Sequence, residues 1–97
     1  MTQEATIGAL DAPHDPDTLD EQKATARFLE VVGEVIGIDE VPVDQHFLDI
    51  GGDSLSMAII VDWIGQEFGV EPEIDWFFES QDMSDLVSRW WNKLLSR

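Results

Sequence analysis

Cysteine is absent, so the chain has no disulfide framework and no thiolate metal site, and a reactive thiol would have to be imported on a cofactor. Basic residues are scarce: five Lys and Arg stand against 21 Asp and Glu, a formal net charge of −16. That excess opposes phosphate backbones and anionic lipid, which argues against nucleic acid and membrane surfaces as partners. No apolar run approaches the roughly 18 residues of a membrane span. The N-terminus lacks the basic start and apolar core of a secretory signal, so Met1 reads as the chain start and the cytoplasm as the location. Residues 28–88 contain no Lys or Arg but fifteen carboxylates. Such a field steers basic partners and weakens with salt; it also serves plain solubility. A monomer is the default for so charged a small chain.

The period-two alternation of strands is missing, and no internal repeat is present. What is there is helical. With 97 residues, 43% of them apolar, the chain suits one small domain, divided into an acidic, flexible leader over 1–15 and a domain over 16–97. A first helix begins near Asp15-Pro16 or at Thr18, where Thr18 and Glu21 have capping-box spacing, and runs to about Ile36 before Gly37. Leu19, Ala26, Leu29, Val32 and Ile36 supply its buried stripe. A long connection over 38–53 follows, with Phe47 and Leu48 expected to plug the core. A second helix spans about 54–68, burying Met57, Ile60, Val61, Ile64 and Phe68. After Pro72 a short turn over 75–79 carries Trp76, Phe77 and Phe78, not all of which can point inward. A last helix capped by Asp82 buries Met83, Leu86, Val87, Trp90, Trp91, Leu94 and Leu95, with Trp90 as core and Trp91 as rim. Arg89, Lys93 and Arg97 lie toward its C-terminal end.

The most informative segment is Gly51-Gly52-Asp53-Ser54-Leu55, where a polar loop gives way to an apolar helix. Glycines without Cβ atoms let a ligand or another backbone approach. Asp53 can cap the helix by accepting from its first free amides. Ser54 then stands at the helix mouth, where the dipole tolerates an anion such as a phosphodiester. Nothing nearby in sequence activates its hydroxyl, so an outside catalyst would have to.

With this loop and helix order, the chain resembles the phosphopantetheine-dependent carrier protein family from about Leu19 to Leu95. The match is densest over Asp44-Gln45-His46-Phe47-Leu48-Asp49-Ile50-Gly51-Gly52-Asp53-Ser54-Leu55, and Phe68-Gly69-Val70 and Phe78-Glu79 extend it. The Gly51-Gly52 pair looks more like peptidyl or aryl carriers of nonribosomal peptide assembly than fatty-acid carriers. Ser80-Gln81-Asp82 stands where the family usually has Pro-Thr. The resemblance implies an all-α four-helix carrier bundle of three main helices and one short one. It further implies 4'-phosphopantetheine placed on Ser54 by a phosphopantetheinyl transferase with Mg²⁺, which Asp53 could help hold. The cofactor thiol then carries an aminoacyl or acyl thioester between an adenylating or acyl-transferring loading enzyme and downstream condensing or tailoring enzymes. The chain itself is expected to be non-catalytic and free-standing. A stand-alone acyl carrier of a polyketide or mixed pathway is the alternative, and an unmodified helical adaptor is the competitor from another class.

Gly52-Asp53-Ser54-Leu55 also occurs as a string in a family of serine esterases. That chemistry needs a sheet, a His base and an oxyanion hole, yet no His follows position 46; His46 is read as a loop or surface residue. Asp11, His14, Asp15, Asp17 and Asp20 lack the Gly and Glu of a calcium loop and are interrupted by Pro16. On the second helix Leu55, Ile59 and Trp63 form a stripe away from the core sector, with Ala58 and Asp62 at its margin. Leaving each in water forgoes roughly 1.5–3 kcal/mol of burial, which suggests a docking face for partner enzymes. Cover of Trp63 by a neighbouring element is the competing reading.

Overall fold

The computed structural model describes residues 20–96, which build four α-helices and one 3₁₀ turn, with no strand among the described residues. Helix α1 spans Glu21–Ile36, the 3₁₀ turn Phe47–Ile50, α2 Ser54–Phe68, α3 Ile74–Glu79 and α4 Met83–Ser96. This is the expected all-α bundle of three main helices and one short one. No described helix is long and apolar enough to cross a membrane.

The expected starts of α1 at Asp15, Pro16 or Thr18, its stripe residue Leu19, the 1–15 leader and Arg97 lie outside the described residues. Within them, the cap of α1 is Asp20, whose carboxylate accepts the Lys23 N–H at 2.8 Å. The expected stripe is rotated. Ala24, Phe28, Val31 and Val32 are buried, Leu29 and Ile36 are partly buried, and Ala26 is exposed. Ala26 offers one methyl, whereas turning the helix toward Phe28 removes a whole phenyl ring from water. That ring packs against Trp90 with centroids 5.0 Å apart, and Phe68 meets the same indole from another side at 4.9 Å. Trp90 is fully buried, and its Nε1–H donates to the Val70 carbonyl at 2.9 Å, so the core aromatic leaves no polar atom unpaired.

Helix α2 has the expected bounds and ends at Gly69. It buries Met57, Ile60, Ile64 and Phe68, with Val61 partly buried. A bidentate ion pair ties it to α1: Arg27 Nε donates to Glu67 Oε2 at 2.7 Å and a terminal nitrogen to Oε1 at 2.9 Å. The hydrogen bonds to Glu67, and next the one to Glu30 at 3.0 Å, raise the affinity of Arg27 for its proton.

In α4 the stripe Met83, Leu86, Val87, Trp90 and Leu94 is buried and Trp91 forms its rim. Leu95, expected inside, is 64% exposed: one position beyond Leu94, it is rotated about 100° out of the stripe. Asp82 Oδ1 accepts the Asp85 N–H at 2.9 Å, as the cap reading requires. Two loop carbonyls share the work, since Gln45 O accepts from Met83 N–H and Val43 O from Ser84 N–H, both at 2.9 Å. The long connection is thereby fastened to the first turn of α4, whose amides have no partner within the helix.

Candidate functional site

The loop ahead of Ser54 is shaped from inside. Phe47 is buried and meets Phe77 of α3 edge-on, with centroids 5.0 Å apart. Leu48, its expected companion in the core, is 46% exposed; consecutive residues of so tight a turn diverge, and only one can point inward. Gly51 closes the turn in the left-handed region at φ 105°, which disfavours any side chain with a Cβ. Gly52 lies against the Phe47 ring, and a Cβ there would overlap ring carbons. The two glycines thus answer to the turn and to internal packing, grounds that the sequence reading, which gave them to ligand approach, did not identify.

Asp53 caps α2 through a reciprocal pair. Its Oδ1 accepts the Ser56 N–H at 2.8 Å, while Ser56 Oγ accepts the Asp53 N–H at 2.8 Å. The Ser56 backbone N–H, and next its hydroxyl, hold the Asp53 carboxyl below the usual carboxylate range. Ser56 is nearly buried and committed to this box. Its role was missed in the sequence, where the signal is an Asp-x-x-Ser spacing rather than the familiar Glu or Gln at the third helical position.

Ser54 is the first residue of α2 and is exposed. Among the described residues its hydroxyl has no hydrogen-bond partner. It therefore combines access, a free oxygen and the positive end of a fifteen-residue helix. His46 supplies no base for it. The Leu48 N–H donates to Nδ1 at 3.1 Å and Nε2 lies 3.0 Å from the Phe78 carbonyl, so both ring nitrogens are engaged by backbone. No group of three or more His, Cys, Asp or Glu among the described residues could hold a metal.

Beyond the serine, Leu55 is 71% exposed, Ala58 and Asp62 are exposed, Ile59 is half-buried and Trp63 is 44% exposed. Arg27, Val31, Gln66 and Glu67 share a shallow cleft with Trp63, so α1 borders the indole without covering it. Glu67 is taken by Arg27, which leaves Asp62, joined to Gln66 at 2.9 Å, as the carboxylate of this face. On α3 Phe77 is buried, Trp76 partly buried and Phe78 51% exposed.

The family model for the phosphopantetheine attachment site matches residues 26–90, two thirds of the chain. The chain is also similar to bacitracin synthase 1 of Bacillus licheniformis, 32% identical over 62 residues that cover 64% of this chain and 1% of that protein. It thus spans about a hundredth of the length of that curated relative. No solved structure matches it. With its four-helix bundle and an accessible serine at the head of α2, the chain belongs to the phosphopantetheine-dependent carrier family, whose domain bears 4'-phosphopantetheine covalently on a serine.

Proposed function

We propose that Ser54 is the serine that carries 4'-phosphopantetheine, within a carrier domain over 16–97. The observation that carries this reading is the contrast among serines. Ser54 is exposed with a free hydroxyl at a helix mouth, Ser56 is locked in the capping box, and Ser80 is buried. Ser84 and Ser88 are exposed on α4 but have no glycine loop before them.

In the loading step the Ser54 oxygen forms a phosphodiester as the pyrophosphate bond of coenzyme A breaks. The serine proton passes to a base of the transferase, and the adenosine bisphosphate half leaves. Asp53 Oδ1 is occupied by Ser56 in the cap, so Oδ2 is the oxygen offered to the Mg²⁺ of the transferase complex. Once attached, the group supplies a terminal thiol on which an aminoacyl or acyl cargo rides as a thioester. The chain's own part is to hold Ser54 outward and to present Leu55, Ala58, Ile59, Asp62 and Trp63 to the transferase, the loading enzyme and later condensing or tailoring enzymes. The likeness to bacitracin synthase 1 supports an assembly line of the nonribosomal peptide kind. A polyketide or mixed pathway would use the same site.

The test is incubation with coenzyme A, Mg²⁺ and a broad-specificity transferase, read by intact mass. A gain of one phosphopantetheine that Ser54→Ala abolishes supports the carrier. No gain with several competent transferases favours an unmodified adaptor.

A further inference from the structure

The imidazole of His46 joins two elements. Leu48 N–H can only donate, so Nδ1 must be the acceptor of their 3.1 Å bond; Phe78 O can only accept, so Nε2 carries the proton of the 3.0 Å bond. Both bonds coexist only in the neutral, Nε2-protonated ring. The first bond caps the 3₁₀ turn that leads into Gly51. The second reaches 32 positions along the chain to the last turn of α3.

Beneath this polar tie lies an apolar one between the same two elements, the edge-on contact of Phe47 with Phe77. Phe47 in turn underlies Gly52, two positions before Ser54. Helix α3 also packs on α2 and α4, and the bond from His46 adds a polar link at the surface between α3 and the turn that leads to Ser54. The groups fastened by His46 belong to Leu48 and Phe78, whose side chains are 46% and 51% exposed. One side chain therefore fixes the backbone of two exposed apolar residues relative to each other and to the serine loop.

We infer that His46 is a positioning residue, which holds the serine-bearing loop in register with α3 so that the phosphopantetheinyl transferase meets Ser54, Leu48 and Phe78 as one preformed surface. The inference rests on Ser54 being the attachment point. Its effect falls on recognition rather than on the chemical step, because His46 bonds to neither the Ser54 hydroxyl nor Asp53.

The test uses the full chain, a broad-specificity transferase, Mg²⁺ and a fluorescent coenzyme A, with initial rates resolved into KM for the carrier and kcat. His46→Asn retains an oxygen that can cap Leu48 N–H but is too short to reach Phe78 O. It is expected to raise KM about three- to tenfold, the loss of one partly exposed hydrogen bond, with kcat within about twofold and helicity retained. Ring nitrogen shifts of the wild type are expected to report the Nε2-protonated tautomer. An unchanged KM in folded His46→Asn, or the other tautomer, overturns the inference, as does a KM defect confined to His46→Ala, which would make the ring a local cap only. Loading of Ser54→Ala would instead strike the attachment reading, so the two failures are distinguishable.

Discussion

Phe47 roofs the backbone of Gly52: the ring lies so close that position 52 has no room for a Cβ, and the same ring meets Phe77 at 73° with centroids 5.0 Å apart. The core thus reaches within two residues of the exposed serine. The loop's shape rests on this packing together with its own hydrogen bonds, such as Gly52 N–H to the Phe47 carbonyl at 3.1 Å.

Gly52→Ala is therefore expected to destabilise the fold by about 1–3 kcal/mol, the usual range for overpacking. Adding Phe47→Leu should return part of that loss, giving a coupling term in a double-mutant cycle by urea denaturation. Strict additivity of the two changes would show that the ring is not what excludes the methyl.

The Asp53 cap has a defined pH dependence. Its carboxyl is held below the usual range by the Ser56 backbone N–H and then the Ser56 hydroxyl. The unfolded chain binds that proton more readily, so the contribution is present above the ordinary carboxylate value of about 3.9 and lost as pH falls through the lower folded value. Asp53→Ala should melt below the wild type near neutrality, and the gap should close in strong acid. A gap of constant size across thermal melts from neutral to acid pH would contradict the assignment.

Ser80 is buried, and its Oγ has no hydrogen-bond partner among the described residues. Ser80→Ala removes an unsatisfied polar atom at little cost in volume, so it should leave stability unchanged or raise it by up to about 1–2 kcal/mol. A loss of more than about 1 kcal/mol would reveal a partner for the hydroxyl.

The helix order and the last three helices could be read before any coordinates because their apolar periodicity is strong and glycine or aspartate marks their ends. Helix α1 could not be phased so well: Ala26, Leu29 and Val32 compete with Ala24, Phe28 and Val31 on overlapping faces, and only the position of Trp90 decides between them. Leu48 differs from expectation for a related reason, since a 3₁₀ turn has no amphipathic period from which inward and outward residues can be told apart. At the site, Asp53 as a cap follows from local spacing. The bond of His46 to Phe78, 32 positions away, has no local signal. Composition likewise says nothing of how Phe47 fills the space over Gly52.

Trp63 tests the α2 face. It is 44% exposed, so Trp63→Ala should fold, while KM for the transferase should rise about tenfold if the indole is an anchor of docking. Normal loading by Trp63→Ala, with unchanged affinity for every partner tried, would remove this face from recognition.

The most direct measurement is fragmentation mass spectrometry of the loaded protein after proteolysis, which locates the added group on one side chain. The account predicts phosphopantetheine on Ser54, with Ser56, Ser80, Ser84 and Ser88 unmodified. The group on any other residue, or a protein that refuses loading while its bundle is intact, would contradict it.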